Sequence, residues 1–149
     1  MIAELRNFLP LTEGLLSSGM PSAEQMTSIA EAGVQVIISL VPFDPERDLA
    51  NEDTLADSLG MKYINIPVEW EAPSRQNLEA FMNAMDEHKN NKVLVHCRAN
   101  YRATGFITLY RVNRLGWKKE EAFKDLQRMW NPAEYPVWEK FIEENLPLE

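Results

Sequence analysis

The chain has a single cysteine and only two histidines among its 149 residues. One cysteine excludes an intramolecular disulfide framework and fits a reducing compartment, the cytoplasm. Basic residues are the minority charge, 15 Lys and Arg against 23 Asp and Glu, for a net charge of −8. That balance argues against nucleic acid or an anionic membrane as a general partner. Long apolar runs are lacking, so no stretch reads as a membrane span. Met1–Leu16 carries Glu4 and Arg6 and no extended apolar core, so it does not read as a secretory signal. Repeats, low-complexity tracts and linkers are not seen either. What is there has ordinary globular proportions, 45% hydrophobic and 26% charged residues. The expectation is one domain over residues 1–149, with room for a real core, acting as a monomer.

Cap and turn residues divide the chain into alternating strand and helix signals. Leu9–Gly19 reads as an extended entry or short strand pair, followed by a turn at Gly19, Met20 and Pro21. Ser22 is placed to cap a helix over Ala23–Ala32, and Gly33 to end it. Val34–Val41 is rich in β-branched residues and reads as a central parallel strand. The polar connection Pro42–Asp53 follows, where Arg47 reads as a solvated loop residue more readily than as a substrate contact. A short helix over Glu52–Leu59 ends at Gly60, and Met61–Val68 is the next strand. Ser74 caps Arg75–Glu87, in which Leu78, Phe81, Met82 and Met85 recur at helical spacing. Val93–His96 is a further buried strand. Arg102–Leu115 is apolar on nearly every side, which marks a buried helix. Two more helices are expected over Lys118–Met129 and Pro132–Asn145, the latter with Trp138 and Phe141 facing the core. The sum is an α/β fold with a central four- to five-stranded, mainly parallel sheet flanked by helices.

Chemistry concentrates in His96-Cys97-Arg98-Ala99-Asn100-Tyr101-Arg102. A strand that feeds a tight loop ending at a helix start leaves backbone N–H groups free, and the helix dipole favours an anion there. The same field favours a thiolate on Cys97 and makes it nucleophilic. Arg102 offers a planar fork of donors suited to a tetrahedral oxyanion. A lone cysteine is more often an inert small hydrophobe. Two arginines beside an inert core cysteine would be a desolvation burden, and that reverses the balance.

His96-Cys97 followed by Arg102 resembles the phosphate-binding loop of cysteine-dependent protein tyrosine and dual-specificity phosphatases. That family places five residues between Cys and Arg, whereas four stand here, Arg98–Tyr101. Asn100 occupies the place of the usual loop glycine and tolerates left-handed backbone better than most residues. The hydroxyl residue is Thr104, not the residue directly after the arginine. Ser18-Gly19-Met20-Pro21-Ser22 ahead of a helix, and Gly116-Trp117 leading into Glu120-Glu121-Ala122, also resemble the bacterial dual-specificity-like branch. The resemblance implies a phosphotyrosine-phosphatase-like fold and hydrolysis of phosphate monoesters through a phosphocysteine, with no metal and no cofactor. Cys97 is then the nucleophile. The backbone amides of Arg98, Ala99, Asn100, Tyr101 and Arg102, with the Arg102 side chain, hold the phosphoryl oxygens. His96 orients the loop. Thr104 either donates to the thiolate or bonds its own helix backbone. The general acid is implied on Pro67–Pro73, which holds Glu69 and Glu71; by spacing to Pro73, Glu69 lies closer to the family's acid position, and sequence does not separate them. The implied substrate is a phosphorylated protein or a small phosphate ester.

Other positions have plainer readings. The Arg98 side chain can point to solvent, Trp70 reads as packing, and Tyr101 can lie beside a substrate ring or cover the adjacent strand. Two rival functions remain open. The four-residue spacing also resembles the Cys-Arg-x-Gly-x-Arg loop of rhodanese-type sulfurtransferases, in which Cys97 would carry a persulfide. A contracted loop could also bind phosphate without supporting in-line attack.

Overall fold

The computed structural model describes residues 1–147. Its five strands are β1 (Leu9–Thr12), β2 (Leu15–Ser18), β3 (Val36–Ser39), β4 (Lys62–Asn65) and β5 (Val93–His96). They form one sheet in the order β1-β2-β5-β3-β4. β1 pairs antiparallel with β2, and all other pairs are parallel. This is the mainly parallel α/β sheet expected from the sequence. The helices are α1 (Ala23–Glu31), α2 (Glu52–Ser58), α3 (Arg75–Glu87), α4 (Tyr101–Arg114), α5 (Lys119–Gln127) and α6 (Pro136–Glu144).

The central strands β3 and β5 are apolar up to their last residues, Ser39 and His96, because both of their faces are covered. Val36, Ile38, Val93 and Val95 face a core built with Leu78 and Phe81 of α3, Phe106 and Ile107 of α4, and Trp138 of α6. Ile37 and Leu94 face the other way, onto Met26 and Ile29 of α1 and Ala56 of α2. α4 is buried from Arg102 to Arg111, as its all-round apolar pattern requires. Among the described residues, no helix is long and apolar enough to cross a membrane.

Local capping follows the sequence closely. The Ser22 side chain accepts from Gln25 N, and the Gln25 side chain accepts in return from Ser22 N. The Ser74 side chain accepts from Asn77 N. Gly33 ends α1 with φ 91°, a conformation that costs other residues dearly. The strands are shorter than their apolar runs, because hydrophobicity reports burial and not pairing. Leu40, Val41, Ile66 and Val68 are buried beyond the regular ladder. The backbone contact nevertheless continues there, with Ile66 N donating to Ser39 O and Val68 N to Leu40 O. The last helix starts at Pro136 and not at Pro132; Pro132–Glu134 is a separate 3-10 turn capped by Asn131. Pro136 needs no N–H partner and suits a first helical turn.

Candidate active site

β5 lies in the middle of the sheet and delivers Cys97 at its C-terminal end, with Cys97 N donating to Ser18 O of β2 at 3.3 Å. The loop from Cys97 to Arg102 has its carbonyls bonded outward. Arg98 O accepts from Met20 N at 3.1 Å. Ala99 O accepts from Asn7 Nδ2 at 2.9 Å, and Asn100 O from the Thr104 hydroxyl at 2.7 Å. Cys97 O lies 3.2 Å from His96 Nδ1. A carbonyl only accepts, so Nδ1 carries the proton of that contact. By contrast, no group among the described residues accepts from the backbone N–H of Arg98, Ala99, Asn100, Tyr101 or Arg102. Buried N–H groups are rarely left without partners, so this unspent set is what an oxyanion would use.

Asn100 makes the turn possible. It is left-handed, at φ 69° and ψ 11°, and buried. Its Nδ2 donates to Asn7 O at 2.8 Å and to Ser17 Oγ at 3.0 Å. Asn7 and Asn100 therefore brace each other, each side chain donating to backbone of the other's segment.

The two loop arginines have different environments. Arg102 is buried, and its Nη1 donates to Val68 O at 2.7 Å. Burial pushes its pKa below the ordinary arginine value, while the charge of neighbouring Cys97 pulls it back up. The Arg98 side chain does not turn to solvent. Its Nε and Nη2 clasp Asp48 Oδ1 and Oδ2 at 2.9 and 2.7 Å, and Nη2 also donates to Pro42 O. The Asp48 hydrogen bonds hold the Arg98 pKa above its usual value, against the effect of burial. Burial alone would raise the Asp48 pKa, but Arg98, Arg47 and the Asp44 N–H together hold it below the usual carboxylate value. Arg98 thus contributes its N–H to the loop and ties its guanidinium to the β3–α2 connection.

Behind the loop, His96 Nε2 lies 2.5 Å from Glu52 Oε2, with the histidine buried and the glutamate nearly so. Tyr63 lies against the same carboxylate, and burial together with the Glu52 charge raises its pKa to about 12.

Glu69 and Glu71 are exposed on the connection after β4. Both border an open cleft of about 540 Å³ shared with Phe43, Arg47, Arg98 and Arg102. Cys97 does not line this cleft itself; it sits next to Arg98, which does, and is only 1% exposed. Trp70, between the two glutamates, is packing as expected: it stacks on Trp138 at 5.3 Å, and its carbonyl accepts from Trp138 Nε1 at 2.7 Å. Tyr101 stacks parallel to Trp130 at 5.2 Å and lies 6.2 Å from Trp70. Of the two readings of Thr104, its helix backbone takes the hydroxyl, and Trp130 Nε1 donates to the same oxygen. Asp48, Glu52 and Asn7 had no sequence signal as site residues. Each reaches the loop across a wide separation, 50 residues for Asp48–Arg98 and 44 for Glu52–His96.

Residues 12–135 match the profile of a family described as "DSP-PTPase phosphatase fused to NAD+ Kinase". The chain belongs to this DSP-PTPase family. A candidate phosphatase of the DUF442 group from Shewanella putrefaciens CN-32 is 36% identical to this DSP-PTPase chain. Its crystal structure covers 97% of this chain and 93% of its own, with a TM-score of 0.86. The dual-specificity protein phosphatase TpbA of Pseudomonas aeruginosa is 21% identical over 124 residues, 82% of this chain and 54% of TpbA. The DSP-PTPase chain therefore spans about half the length of that curated relative. A TpbA crystal structure shares the fold at a TM-score of 0.74 and 16% identity, over 93% of this chain and 84% of that one. These findings side with the phosphatase resemblance against the sulfurtransferase one.

Proposed function

We propose that this chain hydrolyses phosphate monoesters through a phosphocysteine on Cys97. The observation that carries the reading is the loop itself, with carbonyls bonded outward and the N–H groups of Arg98–Arg102 unclaimed. The phosphoryl oxygens take those N–H groups and the Arg102 guanidinium, where transition-state charge is spread. The Cys97 thiolate forms the S–P bond as the P–O bond to the leaving group breaks. Glu69 or Glu71 gives the departing oxygen its proton. The resulting carboxylate then takes a proton from water, whose oxygen attacks phosphorus. The S–P bond breaks, and thiolate and inorganic phosphate are released. His96 and Glu52 orient the loop from behind, and Thr104 supports it by holding Asn100 O. The scheme uses no metal or cofactor.

TpbA has been crystallised with phosphotyrosine, which supports a phosphorylated protein or small phosphate ester as substrate here. The lone thiol fits a reducing compartment, the cytoplasm, and residues 1–149 act as one monomeric domain, on neither nucleic acid nor membrane. The near-complete burial of Cys97 favours a second reading, in which the loop binds phosphate without covalent turnover.

The test is aryl phosphate hydrolysis with an acid quench to trap protein-bound phosphate. Wild type turns over, Cys97→Ser does not, and either Glu69→Gln or Glu71→Gln loses about 10²–10⁴-fold in kcat for a poor leaving group. Phosphate or vanadate binding with no trapped phosphate and no turnover leaves the binding-only reading standing. Wild-type activity in both glutamine variants removes the acid role from this segment.

A further inference from the structure

The cleft bordered by Arg98 and Arg102 of the loop has little positive charge to spare. Three guanidiniums line it, from Arg47, Arg98 and Arg102. Arg98 is already matched by Asp48 at 2.7 Å, and Arg47 by Asp44 at 3.2 Å. Arg102 has no carboxylate partner among the described residues; its Nη1 donates to the neutral Val68 carbonyl, and its charge faces the Cys97 sulfur of the loop itself. One guanidinium and a set of N–H groups can hold one phosphoryl group. Nothing comparable is available to a second.

The rim has the opposite bias. Glu69 and Glu71 are exposed and join no ion pair among the described residues. Whichever of them gives up a proton in catalysis, the other faces the substrate's surroundings as a carboxylate. Phe43 stands on the same rim, 59% exposed, with an aromatic face suited to a cation. The chain as a whole carries −8, so the wider field adds to the local one.

We infer that the site selects singly phosphorylated substrates with cationic surroundings: a phosphorylated side chain flanked by Lys or Arg on a peptide. It discriminates against acidic phosphopeptides and against multiply phosphorylated headgroups. The inference rests on the phosphatase reading of this site and narrows its substrate class. The charges act across distances comparable to the Debye length, so the preference weakens with salt.

The test uses two phosphotyrosine peptides that differ only in flanking residues, Lys or Glu, with an aryl phosphate as reference. Turnover is measured on wild type, and binding by calorimetry on Cys97→Ser. The Lys-flanked peptide is expected to lead by about tenfold in kcat/KM and in affinity at low ionic strength, and by much less at about 0.5 M salt. Asp44→Asn, which frees Arg47 but keeps an acceptor for the Glu46 N–H, narrows the gap between the two peptides. Equal or reversed ranking of the peptides overturns the inference, as does a bisphosphorylated ester processed faster than its monophosphorylated counterpart. If wild type hydrolyses nothing, the phosphatase reading fails, while the binding ranking on Cys97→Ser still decides the charge preference.

Discussion

The Asp48–Arg98 pair shows how one residue outside the loop holds it. The Asp48 side chain is 1% exposed and gives both oxygens to one guanidinium. Burial of Asp48 works against its ionisation, yet Arg98, Arg47 and the Asp44 N–H outweigh it and keep its pKa low. A carboxyl whose pKa is lower in the fold than in the unfolded chain stabilises the fold above the unfolded value of about 3.9. That stabilisation is lost as pH falls through the folded value. Asp48→Asn is therefore expected to cost about 1–3 kcal/mol at neutral pH, because Arg98 keeps its burial and loses its charge partner. The loss should shrink as pH falls below about 3.9, where the unfolded chain's carboxyl takes up protons, and vanish below the lower folded value. Denaturant midpoints of both proteins across pH 2–7 check this; a difference independent of pH would show that the charge is not what matters.

At the scale of elements, the turn between β2 and α1 sets the Cys97–Arg102 loop. A Cβ on Gly19 would sit 2.3 Å from Arg98 O, so only glycine lets these two segments approach. Gly19 N donates to Arg6 O, and Met20 N to Arg98 O, which fixes the direction of that carbonyl. Because a peptide unit is planar, turning one carbonyl outward turns the following N–H inward. Gly19→Ala is expected to push Arg98 O from its place and misdirect the Ala99 N–H. A displacement on the order of 1 Å can cost about 10²-fold in rate. The corresponding destabilisation is about 1–3 kcal/mol, typical of overpacking. Steady-state kinetics beside a denaturation curve separate the two; a stability loss with unchanged kcat/KM would mean that the loop does not depend on this turn.

Across the whole molecule, an aromatic cluster joins the far end of the chain to the acid-bearing connection. Trp138 of α6 is fully buried, contacts Phe106 of α4 and Phe141, and stacks on Trp70. Its Nε1 donates to Trp70 O, between Glu69 and Glu71, across 68 residues of sequence. Arg102 holds the same connection at Val68 O. The glutamates thus hang from a segment pinned at two points, one from α4 and one from α6. Trp138→Phe keeps a ring but leaves the Trp70 carbonyl without its donor, for a cost of about 1–3 kcal/mol. On the proposed mechanism it should lower kcat more than it raises KM, since it loosens the proposed acid and spares the proposed phosphate cradle. An unchanged kcat at full folding would detach α6 from the chemistry.

Much of this protein was legible from short stretches of sequence. Helix caps at Ser22 and Ser74, the glycine stop at Gly33, the double-faced burial of β3 and β5, and the left-handed Asn100 all came out as expected. Each depends on residues within a few positions of one another, where backbone sterics and hydrophobic period act directly. The identity of the loop, from His96 to Arg102, is local in the same sense. Tertiary structure alone decided that Arg98 turns to Asp48, that Glu52 backs His96, that Tyr101 stacks on Trp130, and that Cys97 ends almost fully buried. Those outcomes join segments dozens of residues apart. Long polar and aromatic side chains have many partners of nearly equal worth, and the sheet order determines which one comes within reach.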